Sequence, residues 1–315
     1  MKEITSLNAC SFRDEDQVVA ALGFFDGLHL AHRRIVEECI RRAKARRGVS
    51  LVFTFQNHPS GILTPGRAIR LLTPYPIKLQ ILEPIGVDVV VGVPFDLPIS
   101  RTSARDFIDH VLCERLRAKE IVVGFNFFFG RNREGTVEQL QKLVPERFEN
   151  VTVLEPLLHE DQPVSSTLIR QNILQGRLEE VSKLLLRPYQ IAGYVVTGAG
   201  RGRTLGIPTA NLDTGGQVLP PNGVYGVRVR KERIDAPPIW GVMNIGANPT
   251  FQTDSSPSVE VHLLDFDGDL YHQYLIVDVL RYLRAEQKFA SPQELVAQIQ
   301  RDVEGFREWI QTNKI

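Results

Sequence analysis

Apolar residues in the first half of the chain gather into short β-branched runs separated by stretches with helical spacing. Runs at 18–22, 49–55, 87–93, 121–124 and 151–154 each have the length of one strand. Between them, 35–45 and 103–116 are amphipathic, and Ser103 with Asp106 three residues on reads as a capping box ahead of Phe107 and Val111. This alternation predicts a parallel sheet with helices on both faces, and such sheets bind ligands beyond the carboxyl ends of their strands. From 189 to 282 the pattern becomes period two, at 224–230, 259–263 and 275–279, with Gly and Pro clusters between the runs. That predicts an antiparallel β barrel or sandwich. Ser291, Pro292 and Glu294 then open a final helix whose stripe is Leu295, Ile299, Val303, Phe306 and Ile310. Helices near Ser166 and at 178–186 precede the change, so the domains are expected at 1–186 and 187–315.

Composition agrees. A length of 315 residues suits two domains, and 43% hydrophobic with 23% charged residues is ordinary for a globular chain. Lys plus Arg and Asp plus Glu both number 37, so no whole-molecule charge draws a nucleic acid or membrane partner. No apolar run approaches the ~20 residues of a membrane span, and the first residues show no secretory signal. Cys10, Cys39 and Cys113 form no C-x-x-C, which argues against a disulfide framework and a cysteine zinc site. Free thiols in the cytoplasm are expected.

Candidate chemistry lies after the strands. Gly23-Phe-Phe-Asp-Gly-Leu-His-Leu-Ala-His32 follows the first run. Gly23 and Gly27 permit tight turns, and Asp26 can tie the turn down. His29 and His32 are three apart at a helix start, where free N–H groups favour phosphate. Two imidazoles there can donate to charge developing at phosphorus. Exposed loop histidines, or a zinc site completed by His58, are the competing readings of H-x-x-H alone. Gly124-Phe-Asn126-Phe-Phe-Phe-Gly130 offers aromatic surface for a flat ring, with core packing as the alternative. Ser165, Ser166 and Thr167 with Arg170 one turn on can hold polyphosphate, or simply cap a helix.

In the second half, Gly200, Arg201, Gly202 and Arg203 suit a phosphate, although the segment is neither a P-loop nor a dinucleotide fingerprint. Turn glycines of a hairpin are the plainer reading. Thr209 and Asn211 offer oxygen ligands to Mg²⁺. Strand alternation puts Glu260 and His262 on one face, where Glu260 is either a solvated carboxylate or a general base.

The G-x-F-D-G-x-H-x-x-H segment resembles the adenylyl-transferring nucleotidyltransferases, with Ala31 at the Gly of their H-x-G-H mark. The segments 241–251 and 259–265, then Arg284-Ala-Glu286 with Lys288-Phe289, resemble the riboflavin kinase module. In this order, over about 18–310, the chain resembles the bacterial bifunctional riboflavin kinase and FAD synthetase family. The resemblance implies an N-terminal Rossmann-like nucleotidyltransferase domain with a parallel sheet, then an antiparallel barrel kinase domain ending in a helix. It implies phosphorylation of riboflavin to FMN and adenylylation of FMN to FAD, with ATP and Mg²⁺ and release of pyrophosphate.

By the same resemblance His29, His32 and Glu260 are catalytic. Gly23, Phe25, Asp26, Gly27, Asn126, Ser165, Ser166, Thr167, Arg170, Gly200, Arg201, Gly202 and Arg203 hold ATP. Thr209 and Asn211 hold the metal, and His58, Pro59, Phe127, Phe128, Arg284 and Glu286 meet the flavin. Asn126 stands at a position that is Asp in other members, Phe128 where many have a polar residue, and His272 where Gly is usual. The expected partners are small molecules rather than nucleic acid or membrane, with homo-oligomerisation open. The alternatives are the same family with one active domain, an aminoacyl-tRNA synthetase relative, or a non-enzymatic RNA- or flavin-binding protein using the basic stretch Arg33 to Arg47.

Overall fold

The structure, a computed structural model, describes residues 1–64, 66, 69–144, 146–198, 202, 205–246 and 257–313. Two compact units are present, Met1–Leu168 and Ile169–Ile315. The first is built on a six-stranded sheet of β1 (Lys2–Ile4), β2 (Val18–Leu22), β3 (Ser50–Phe55), β4 (Val89–Val93), β5 (Ala118–Gly124) and β8 (Asn150–Leu154). Its order is β1-β4-β3-β2-β5-β8, and every neighbouring pair is parallel. Two small hairpins, β6 (Phe128–Phe129) with β7 (Gly135–Thr136) and β9 (Leu158–His159) with β10 (Gln162–Pro163), decorate it.

Strand β2 shows why the sheet is covered on both faces. Val18, Ala20 and Leu22 enter one apolar cluster with Phe53, Leu112 and Val123. Val19 and Ala21 enter the other, with Val36, Cys39 and Ala43 of the helix Leu30–Arg46. A parallel strand buried on two sides reads as a continuous apolar run, which is how it appears in the sequence. The helix expected at 103–116 is α-helical only over Ala104–Asp106 and continues as a π-helix over Phe107–Arg115. Its capping box is not closed. Ser103 Oγ accepts the Asp106 N–H at 3.0 Å but donates to the Asp106 carboxylate at 2.7 Å.

The second unit is a closed antiparallel barrel of β11 (Tyr189–Val196), β12 (Ala210–Asp213), β13 (Gly223–Lys231), β14 (Ile239–Gly246), β15 (Ser258–Leu263) and β16 (Tyr274–Arg284), in the order β11-β12-β15-β14-β13-β16. Alternate residues such as Val227, Val229, Met243, Ile245, Val261 and Val277 are fully buried. The compact units divide ahead of the 186/187 boundary suggested by the change of pattern. The reason is the helix Leu178–Leu185, whose buried stripe of Leu178, Val181, Leu184 and Leu185 packs on β11 and β16.

The C-terminal helix Pro292–Asn313 closes the other side. Gly226 is what lets it approach, because a Cβ there would come within 2.2 Å of the Phe306 ring. Phe306 is fully buried, stacked on Trp309 at 5.7 Å and edge-on to Trp240 at 6.1 Å. The Phe306→Ala variant is expected to lose about 3–5 kcal/mol of barrel stability, the usual cost of an aromatic-to-alanine cavity. Trp240 and Trp309 are the chain's 2 tryptophans and both touch Phe306, so tryptophan fluorescence during denaturation reads this unit. An unchanged midpoint contradicts the packing account.

Candidate active sites

In the first unit the chain runs from β2 through β3 to β4 on one side, then returns to β5 on the other side of β2. That reversal opens a crevice at the carboxyl ends of β2 and β5. A cavity of about 250 Å³ lies there. His29, Ala31, His32 and Arg34 line it from the segment after β2; Gly124, Phe125 and Asn126 from the end of β5; Ser165, Ser166 and Thr167 from beyond β8.

The loop after β2 has an unusual backbone. Phe25, Gly27 and Leu28 have φ of 53°, 86° and 43°. Left-handed geometry at Phe and Leu is costly. Burial offsets it, since both side chains are almost wholly enclosed and each such burial contributes roughly 1.5–3 kcal/mol. Gly23 leaves space for the Phe25 ring, which would lie 2.9 Å from a Cβ there. The buried Asp26 carboxylate accepts the backbone N–H groups of Leu72 and Thr73, each at 3.1 Å. Ser166 Oγ donates to the Asp26 carbonyl at 2.9 Å.

His29 caps the helix Leu30–Arg46, its Nδ1 accepting the His32 N–H at 3.4 Å. The acceptor role at Nδ1 leaves the proton of the neutral ring on Nε2. The two imidazoles stack at 3.6 Å, with Phe25 edge-on to His32 at 5.3 Å. Burial, then the charges of His29 and Lys78, hold His32 well below the usual histidine range. Its buried Nδ1 has no hydrogen-bond partner among the described residues.

The remaining expected residues take varied places. Ser165 Oγ accepts the Leu168 N–H at 3.2 Å, which is a capping contact. Arg170 falls in the second compact unit. Phe127 packs on the sheet core and stacks on Phe129 at 5.8 Å. Phe128 is exposed beneath the Arg133 guanidinium, 4.4 Å from its ring. His58, at the end of β3, lies edge-on to Phe24 at 4.8 Å, and its Nδ1 engages the Ser60 hydroxyl and N–H. Pro59 leads into the helix Ser60–Leu63. Phe125, within the aromatic segment 124–130, lines the cavity, as does Arg34, which in the sequence signals only a basic helix. Lys78 carries no signal in the sequence, yet it is buried.

The barrel holds a second constellation. Glu260 pairs in register with Asn211 on one side and Asn244 on the other, so three polar side chains share one face. Thr209 Oγ1 donates to the Glu260 carboxylate at 3.4 Å. Gly202 sits close by, where a Cβ would come within 3.3 Å of Thr209 Oγ1. Glu286 lies against Gly246, whose Cβ would clash with its carboxylate, and accepts from Asn222 at 3.2 Å. His262 shares the Glu260 face and engages the Pro208 carbonyl at 2.8 Å. The Arg284 guanidinium is committed to Asp302 of the C-terminal helix at 2.8 Å. Gly200, Arg201 and Arg203 lie outside the described residues. Hydroxyl, amide and carboxylate oxygens at Thr209, Asn211 and Glu260 are hard donors of the kind Mg²⁺ selects, so the residues fit that ion.

Comparisons with known proteins follow the two units. Residues 11–168 match the family described as FAD synthetase, and residues 185–310 match riboflavin kinase. The bifunctional riboflavin kinase/FMN adenylyltransferase of Escherichia coli strain K12 is 36% identical over 314 residues, covering 100% of this chain and 99% of the relative. That of Listeria monocytogenes is 36% identical, covering 92% of this chain and 91% of the relative. A crystal structure named as a macrolide-efflux protein from Streptococcus pneumoniae superposes with a TM-score of 0.81 at 30% identity, covering 98% of both chains. The chain belongs to the bifunctional riboflavin kinase/FMN adenylyltransferase family. Among the described residues no helix is long and apolar enough to cross a membrane.

His32 yields a pH prediction. A histidine whose folded pKa is depressed contributes its full stability above the unfolded value of 6.5. That contribution is lost progressively as pH falls from there through the folded value. The first unit is therefore expected to weaken as pH falls below about 6.5, and the His32→Gln variant to weaken less over the same fall. Denaturation followed by far-ultraviolet circular dichroism checks this; equal slopes in both proteins contradict it.

Proposed function

We propose that this chain makes FMN from riboflavin and ATP in its barrel domain, and FAD from FMN and a second ATP in its N-terminal domain. The adenylyl-transfer step is assigned to the compact unit Met1–Leu168 and the kinase step to Ile169–Ile315. The observation that carries the reading is the pair of separately built polar sites, one inside each family-matched segment.

In the barrel, the Glu260 carboxylate accepts the proton of the riboflavin primary hydroxyl as that oxygen attacks the γ-phosphorus, and ADP leaves. Thr209 and Asn211 would hold Mg²⁺, which supplies charge neutralisation on the phosphates when bound. The Thr209 hydroxyl orients Glu260, and Asn244 supports it from the other side of the strand. Gly200 to Arg203 would cover the phosphates, and Glu286 would contact the flavin.

In the N-terminal cavity, a phosphate oxygen of FMN attacks the α-phosphorus of ATP and pyrophosphate leaves. The neutral imidazole of His32 and the ring of His29 act by hydrogen bonding to the charge that develops there, with Asn126, Ser165, Ser166 and Thr167 holding ATP. Phe125, exposed, and Phe128, exposed beneath Arg133, offer aromatic surface to a planar group, with His58 and Pro59 after the end of β3. The substrates are small molecules. Use of ATP in both steps, with Cys10, Cys39 and Cys113 as free thiols, supports a cytoplasmic setting.

The Glu260→Ala variant is expected to lose FMN formation while still converting supplied FMN to FAD. His29→Ala is expected to slow adenylyl transfer by about 10²-fold, the scale of losing one preorganised donor, and to leave riboflavin phosphorylation intact. Chromatographic separation of riboflavin, FMN and FAD reads both. Joint loss of the two activities in either variant contradicts separate sites.

A further inference from the structure

Lys78 is the one lysine among the described residues that is buried, 1% exposed, and no substrate role accounts for it. It lies on the helix Tyr75–Leu82, yet its ammonium reaches under the sheet's carboxyl edge. Nζ donates to the Phe24 carbonyl at 2.7 Å, to Thr54 Oγ1 at 3.2 Å and to the Phe55 carbonyl at 3.2 Å. It also sits over the Phe24 ring at 4.3 Å. Thr54 Oγ1 donates in turn to the Phe24 carbonyl at 2.9 Å. One ammonium thus joins the ends of β2 and β3 just where the backbone turns into its left-handed stretch.

We infer that Lys78 is a positioning residue for adenylyl transfer: its ammonium fixes the Phe24–Leu28 loop and thereby places His29 and His32 at the cavity. This rests on the adenylyl-transfer reading above. Four contacts hold the loop: Lys78 and the Thr54 hydroxyl on the Phe24 carbonyl, the Asp26 carboxylate on Leu72 and Thr73, and Ser166 on the Asp26 carbonyl. The first two act where the loop leaves the strand, and Lys78 also holds Thr54 Oγ1 itself. The charged and titratable groups facing it are Asp26 from the loop, His32 beyond it, and Tyr75 on its own helix with the ring at 5.9 Å. Burial pushes the ammonium down to about 7 against the opposing pull of Asp26, and its charge helps keep His32 neutral. The competing role is core filler, a long chain whose methylenes pack and whose amine is merely tolerated.

The test uses the full chain with Lys78→Met, which keeps the length and apolar stem, and Thr54→Val, which removes one of the three acceptors. Riboflavin phosphorylation in the other domain serves as the control for intact protein. The expected result for Lys78→Met is a kcat for FAD formation lower by about 10²-fold, the scale of a small misplacement at the reacting centre, with KM for ATP and FMN unchanged. Thr54→Val shows a smaller loss of kcat in the same direction. Histidine side-chain NMR titration without substrate is expected to show the His32 resonance titrating at higher pH in Lys78→Met. An unchanged kcat in both variants, or a His32 titration that does not move, overturns the inference. The titration needs no turnover, so it decides the role of Lys78 even if the native chain forms no FAD, a result that would instead contradict the adenylyl-transfer reading.

Discussion

The N-terminal site depends on a backbone held where it would not rest on its own. At the end of β2 the chain must reverse sharply to deliver a helix start over the switch point of the sheet. It does so through Phe25, Gly27 and Leu28 in left-handed geometry. Two of those three residues carry bulky side chains, so the turn exists only because the core encloses them and because buried charges grip its polar groups. The histidines inherit their placement from this loop. His29 is fixed by capping the helix, and His32 by stacking on His29. Enclosure then sets their chemistry: His32 stays neutral at physiological pH and offers hydrogen bonds rather than charge.

The barrel solves a related problem with less strain. Its acid sits in a regular strand between two asparagines that sheet register brings alongside. No unusual backbone is needed at Glu260, because pairing of β12, β14 and β15 already converges the side chains on one face. The two units therefore position polar groups by different means, a clamped turn in one and strand register in the other. Both suit transfer at phosphorus, which calls for placement and charge stabilisation more than for a covalent nucleophile.

Much of this was legible in the chain itself. The parallel strands stood out because burial on both faces makes continuous apolar runs, and Glu260 with His262 followed from simple alternation. Other features were hidden for physical reasons. Lys2–Ile4 is too short to show a period, and Tyr189–Val196 is interrupted by Gly193, which is needed where Asp213 crosses closely. The π-helical register of Phe107–Arg115 is a choice of hydrogen-bond partner that apolar spacing does not encode. Arg284 and Glu286 belong to the same motif, yet only Arg284 finds Asp302, 18 residues on in the C-terminal helix. Lys78 stands in Tyr-Pro-Ile-Lys-Leu-Gln-Ile-Leu, where a lone lysine reads as solvent-facing; its burial depends on two strand ends that the sequence does not place together. Asn244 became visible only through its pairing with Glu260.

Two successive transfers at two sites of one chain leave a time course that can be read by incubating the purified protein with riboflavin, ATP and Mg²⁺ and separating the flavins chromatographically. FMN is expected to appear first and then to be converted to FAD. Accumulation of FMN with no FAD, or no conversion of riboflavin at all, would contradict that expectation.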